Sequence, residues 1–170
     1  MNISFIVEHR SIKEDYPNHL KGVEISDFLS ELKANAFLRE LKPEDILITS
    51  DTIVWHKNKA LGKPETTSEA YKMLESLSGL THEVITSVTF TTTNSQKTVN
   101  STTAVTFKKL SSSEIDHYIR EFNPLDKAGA YGIQEWIGLI GITRIEGSYF
   151  NVVGLPTDLV YKTLEEIASQ

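Results

Sequence analysis

The sequence predicts an α/β or α+β fold in which helices flank a mixed β-sheet. Three observations carry this. Runs of period-two hydrophobicity alternate along the chain with stripes of helical spacing. Strand-like and helix-like segments are interleaved rather than grouped. No internal repeat or linker divides the 170 residues, so residues 1–170 read as one domain, long enough for a sizeable core.

The elements follow in order. Ile3, Phe5 and Val7 stand at period two and suggest a short strand over residues 2–10. Ile25, Phe28, Leu29, Leu32, Ala36 and Phe37 give helical spacing over 24–40, with Ser26 or Asp27 available to cap the start. After a turn at Pro43-Glu44-Asp45, a buried strand runs over 46–55. Lys57-Asn58-Lys59 forms a hairpin turn and Gly62-Lys63-Pro64 a loop. Thr66 and Glu69 have capping-box spacing before a helix with Ala70, Met73, Leu74 and Leu77 inward and Gly79 as its stop. Val84, Thr86, Val88 and Phe90 alternate, as do Thr103, Val105 and Phe107, which gives two antiparallel strands around a polar loop at 94–96. Ser111 and Glu114 open another helix with Ile115, Tyr118, Ile119 and Phe122 on its buried face. A glycine-rich segment over 126–147 includes a strand at 137–145, and a last helix turns Val160, Leu164 and Ile167 inward.

Composition excludes several functions. With no cysteine, the chain has no disulfide framework, no cysteine-based zinc site and no thiol nucleophile. No apolar run is long enough to span a bilayer, and no signal peptide is visible, so a cytoplasmic protein with no membrane partner is expected. A formal net charge of −6 argues against binding a nucleic-acid polymer. An acidic protein can still hold a polyphosphate if local lysines and a divalent cation offset the charge. There is no HExxH motif at His82-Glu83, no Walker-type lysine loop and no arguable Ser-His-Asp set.

Four segments stand out. Asp51 falls on the face of Leu47 and Ile53 in an apolar strand, where a carboxylate is costly unless paired, hydrogen-bonded or cation-bound. It reads as a metal ligand or general base near phosphate, or as an aspartate bonding local amides at a bulge. Lys63, between Gly62 and Pro64, is either a phosphate-seeking charge on a stiff loop or a solvated turn lysine. In Asp126-Lys127-Ala128-Gly129-Ala130-Tyr131-Gly132-Ile133-Gln134, Lys127 could meet phosphate and Gln134 a base edge; the alternative is a tight connection around a buried tyrosine. The turn over 147–156 lines a pocket or makes a packed corner, the latter favoured for its aromatics. His82 reads as structural.

Ser50-Asp51-Thr52-Ile53-Val54, Leu61-Gly62-Lys63-Pro64, Leu77-Ser78-Gly79 with Thr81-His82-Glu83-Val84-Ile85-Thr86, the 126–134 segment and the 147–156 segment occur together and in one order. As a set they resemble the Maf family of nucleoside-triphosphate pyrophosphatases, from about Glu14 onward. The resemblance implies an elongated mixed-sheet α/β fold with two lobes around a cleft, shared with inosine-triphosphate pyrophosphatases. It implies hydrolysis of a nucleoside triphosphate to monophosphate and pyrophosphate, a divalent cation (Mg²⁺ or Mn²⁺) as cofactor, and a homodimer. Asp51 takes the place of the catalytic aspartate. Thr52 and Gln134 match the subgroup preferring dTTP and UTP, rather than the one acting on 7-methyl-GTP. Lys33 and Lys63 become phosphate-side residues beside the Lys127 read above, and Glu14 joins Asp51 as a metal ligand, although Lys13 stands where the family often has a second acid. Members usually open with a strand ending in Ser-x-Ser-Pro-Arg-Arg. No such motif occurs here, and Arg10 does not replace it, so the resemblance implies an N-terminally incomplete domain with reduced turnover. A nucleotide- or partner-binding regulator of cell division is the alternative function.

Overall fold

The computed structural model describes residues 3–169. Helix α1 (Val23–Asn35) precedes β1 (Leu47–His56) and β2 (Lys59–Leu61); α2 (Thr67–Leu77) leads into β3 (Thr81–Thr91) and β4 (Gln96–Phe107). Then come α3 (Ser112–Phe122), 3₁₀ turns at Pro124–Asp126 and Ala128–Ala130, α4 (Trp136–Gly141), β5 (Ile142–Glu146), α5 (Tyr149–Val153) and α6 (Thr157–Ala168).

The strands make one sheet in the order β2-β1-β3-β4-β5, and every pairing among the described residues is antiparallel. The mixed sheet expected from the interleaved elements is therefore corrected. Tight hairpins set β1 against β2 and β3 against β4, and the left-handed backbone at Lys57 and Asn58 suits a two-residue turn. The helix-bearing connection from β2 to β3 joins strands on opposite sides of β1, so it creates no parallel neighbours.

Cross-strand partners share a face, and the register assigns both faces. Thr49, Asp51 and Ile53 of β1 stand opposite Thr89, Ser87 and Ile85 of β3. Helix α1 covers this face, with Ile25 and Leu29 packed on Ile53 and Ile85. Ser50, Thr52 and Val54 share the other face with Val88, Thr86 and Val84. There Val84 and Val105 meet α2 and α3, while Val88 and Phe90 meet α6.

Several expectations are revised. The described part of the 2–10 segment is not a strand, and Phe5, Ile6 and Val7 are exposed; residue 2 lies outside the described residues. Alternation alone supplies no partner for ladder bonds. This stretch is fixed instead by Arg10, which donates to the Ala36 carbonyl and to Glu40 and lies over the Phe37 ring. Helix α1 starts at Gly22 without a side-chain cap, because Ser26 and Asp27 lie within the helix. Its buried face holds Ser26, Ser30 and Ala34, while Ala36 is exposed. The strand expected at 137–145 begins as α4 and becomes extended only at Ile142. Phe122 is exposed, although its ring stacks on Tyr118.

The Ser111 cap closes as the sequence predicts, with side-chain and backbone bonds exchanged between Ser111 and Glu114. Ser111→Ala should lower unfolding free energy by about 1 kcal/mol in urea denaturation. A change near zero would show that the cap contributes nothing to α3.

Candidate active site

β2 pairs with β1 only from Val54 to His56, so the edge of β1 from Leu47 to Ile53 has no strand neighbour among the described residues. A cavity of about 430 Å³ opens at that edge. Its lining includes all seven sequence-derived candidates: Glu14, Lys33, Asp51, Thr52, Lys63, Lys127 and Gln134.

Asp51 is buried on the α1 face. The helix reaches it because small hydroxyl residues let α1 approach the sheet closely. Ser30 Oγ and Thr89 Oγ1 are 2.7 Å apart, Thr49 donates to the Ser30 carbonyl at 2.7 Å, and Ser87 donates to Ser26 at 2.8 Å. Lys33 follows Ser26 and Ser30 on the same helical face. Its ammonium donates to Asp51 Oδ1 at 2.6 Å and lies 3.0 Å from Glu14 Oε1. It also reaches the Ser50 carbonyl at 3.4 Å. Lys63 approaches the other oxygen of Glu14 at 3.3 Å. The four side chains form a ladder of alternating charge with Lys33 between the two carboxylates.

Burial pushes the Asp51 carboxyl above the usual aspartate range, although the Lys33 ammonium pulls it down. Burial also works against the charge on Lys33, yet Asp51 and Glu14 outweigh it and hold the ammonium above the ordinary lysine value. Glu14, more exposed, is held below the usual glutamate range: burial opposes this, and Lys33 and Lys63 prevail.

The opposite wall is the 126–134 segment. Gly129 N–H donates to the Gly62 carbonyl at 3.1 Å and ties this segment to the loop bearing Lys63. Only glycine fits, because its φ is +67° and an added Cβ would lie 2.8 Å from Val54 Cγ2. Lys127 pairs with Asp126 at 2.7 Å and Glu135 at 3.3 Å. Tyr118 donates to Glu135 and accepts from Gly132 N–H at 3.0 Å. Gln134 is exposed at the rim. Tyr131 is buried and joined to His82 Nε2 by a 2.7 Å hydrogen bond, so His82 anchors this wall rather than serving the cavity.

The 147–156 segment supplies a third wall, as its pocket-lining reading allowed; the residues that moor it were missed. Thr52 contacts Thr86, Thr86 donates to the Asn151 carbonyl, and Ser50 donates to the Gly154 carbonyl. These bonds moor α5, whose Val152 and Val153 line the cavity. The aromatics of the 147–156 turn do not form the packed corner expected of them; Tyr149 and Phe150 are exposed. Thr86 carried a usable signal, since it interrupts the apolar face of Val84 and Val88 much as Asp51 interrupts its own. Asn151 carried none.

Three lysines stand against three carboxylates (Glu14, Asp51 and Asp126) in the lining. The cavity therefore sets matched opposite charges around a buried carboxylate. The chain belongs to the Maf family: a Maf-like protein family model matches residues 1–167. It is 58% identical over 167 residues to the dTTP/UTP pyrophosphatase of Christiangramia forsetii, covering 98% of this chain and 85% of that protein. The proteins of the same description from Flavobacterium johnsoniae and Bacteroides fragilis are 54% and 49% identical. They cover 96% and 92% of this chain, and 84% and 81% of their own lengths are matched.

Burial pushes the His82 imidazole down to about 4, with nearby His56 acting in the same direction. The unfolded chain takes up a proton near 6.5 that the folded His82 refuses, so this contribution is fully present above 6.5 and is lost as pH falls toward 4. Between pH 6.5 and 5 the loss is about 2 kcal/mol. Urea unfolding of His82→Gln should show a flatter dependence over that window; an unchanged slope would assign the loss to other groups.

Proposed function

We propose that this chain is a dTTP/UTP pyrophosphatase that hydrolyses the nucleotide to its monophosphate and pyrophosphate. The carrying observation is the Glu14–Lys33–Asp51 ladder at the open edge of β1 in a chain 58% identical to a dTTP/UTP pyrophosphatase. A buried carboxylate raised by its surroundings is suited to accept a proton near neutral pH.

In this reading Asp51 orients a water and takes its proton as the oxygen attacks the α-phosphorus. The new P–O bond forms, the bond to the α,β-bridging oxygen breaks, and pyrophosphate leaves with that electron pair. Lys33, Lys63 and Lys127 neutralise charge on the phosphates, and each donor aimed at developing charge contributes roughly 3 kcal/mol. Lys33 bears two roles. With the ligand absent it holds the two carboxylates together; with ligand bound its ammonium turns to phosphate oxygens. Thr52 and Gln134 take the base.

A divalent cation fits the donor set. The oxygens of Glu14 and Asp51 already converge on one positive charge, the Lys33 ammonium. The described residues hold no group of three metal-capable side chains, which suits Mg²⁺ or Mn²⁺ bound by two carboxylates, phosphate oxygens and water. When bound, the cation supplies charge neutralisation at the phosphates. The balanced lining supports this need, because three lysines facing three carboxylates leave no excess positive charge for a triphosphate. From the family resemblance we also take a two-lobed cleft and a homodimer, and from the sequence's composition a cytoplasmic location; no described helix is long and apolar enough to cross a membrane.

Pyrophosphate release should be measured across the nucleoside triphosphates with Mg²⁺ or Mn²⁺. The expected result is turnover of dTTP and UTP, lost with chelator and reduced at least about 10²-fold in Asp51→Asn. Absence of pyrophosphate from every nucleotide would refute the reading.

A further inference from the structure

Thr52 reaches the cavity from the face of the sheet opposite to Asp51, and its hydroxyl does not act alone. Thr52 Oγ1 and Thr86 Oγ1 are 2.9 Å apart, and Thr86 Oγ1 lies 2.8 Å from the Asn151 carbonyl. A carbonyl only accepts, and a threonine hydroxyl carries a single proton. Thr86 therefore spends its proton on Asn151, and the contact with Thr52 is made by the Thr52 proton. This leaves Thr52 with lone pairs and no donor for a ligand.

The chain of hydroxyls is held in place from its far end. Thr86 and Asn151 are fully buried. The Asn151 amide donates to the Val84 carbonyl at 3.0 Å and to Thr103 Oγ1 at 2.9 Å, while Ser50 donates to the Gly154 carbonyl at 3.0 Å. Helix α5 thus cannot turn its Asn151 carbonyl away without breaking several buried bonds. Residue 154 is glycine, whose added Cβ would come into contact with Thr52 Oγ1 at 3.5 Å, and Thr52 lines the cavity.

We infer that Thr86, through the Asn151 carbonyl, is a positioning residue that fixes Thr52 as an acceptor-only group and so favours a pyrimidine whose central ring position carries N–H. This rests on the pyrophosphatase reading and deepens it. Uracil and thymine present acceptor, donor, acceptor along their pairing edge. Cytosine presents a bare ring nitrogen at the centre, which would set lone pair against lone pair at Thr52. A site whose polar group is left unpaired by the wrong ligand discriminates more strongly than an apolar wall does.

The test compares kcat/KM for UTP, CTP and N3-methyl-UTP in the wild-type chain, Thr86→Val and Thr86→Ser. Val matches the shape of Thr but frees the Thr52 proton; Ser keeps the relay. The expected result is that wild type rejects CTP and N3-methyl-UTP, that the UTP-to-CTP ratio falls about tenfold in Thr86→Val, and that it is retained in Thr86→Ser. A merely structural role would lower turnover of both nucleotides together and leave the ratio unmoved. An unchanged ratio in Thr86→Val overturns the inference. So does wild-type hydrolysis of N3-methyl-UTP as fast as UTP, a result that stands even if the valine variant fails to fold. A wild-type chain that turns over no nucleotide defeats the pyrophosphatase reading and the inference with it, whereas UTP turnover with an unmoved ratio defeats the inference alone.

Discussion

The contact between Lys33 and Asp51 is the constraint around which the rest of the structure is arranged. A carboxylate in the middle of an apolar strand is tolerated only if a partner reaches it. That partner comes from a helix anchored on the sheet by Ile25 and Leu29 and brought close to it beside Asp51 by serines and threonines. The pair is not an efficient source of stability, since two charges lose much of their hydration on burial. Removing Lys33 leaves the Asp51 charge buried without its partner, whereas Lys33 without Asp51 keeps Glu14. What the pair does is hold a buried carboxylate, an ammonium and a second carboxylate together at one sheet edge.

That edge is open because β2 is short. A longer β2 would pair with β1 as far as Asp51 and occupy the space of the cavity. The three walls use different devices. Helix α1 is seated by hydroxyl contacts, the 126–134 segment by a glycine against Val54 and the Tyr118–Glu135–Lys127 network, and α5 by hydroxyl-to-carbonyl bonds from β1 and β3. Helix α1 brings an ammonium, the 126–134 segment brings Lys127 and the exposed Gln134 amide, and α5 brings Val152 and Val153 and holds the hydroxyls of β1 and β3.

Much of this was legible in the sequence. Asp51 announced itself by breaking the apolar face of β1, and the helix, hairpin and cap signals placed most elements. The parts that were not legible are tertiary. Nothing local says that the helix-bearing connection from β2 to β3 skips over β1, or that the one from β4 to β5 returns antiparallel, so a mixed sheet was expected where an antiparallel one forms. Ile3, Phe5 and Val7 alternate as a strand would, but a strand also needs a neighbour. Ser26 was expected as a possible cap because propensity favours serine at helix starts, and Ser30 carried no signal; their burial depends on facing Ser87 and Thr89 across 59 to 61 residues. Asn151 sits in an aromatic turn and shows its importance only through bonds to β3 and β4.

The central claim is that the Asp51 carboxyl is raised by burial and restrained by Lys33. A carboxyl ¹³C NMR titration of Asp51, in the wild-type chain and in Lys33→Met, tests it directly. The account predicts a wild-type midpoint above the ordinary aspartate value and a further upward move when the ammonium is removed. A midpoint that stays where it was, or falls, in Lys33→Met would contradict it.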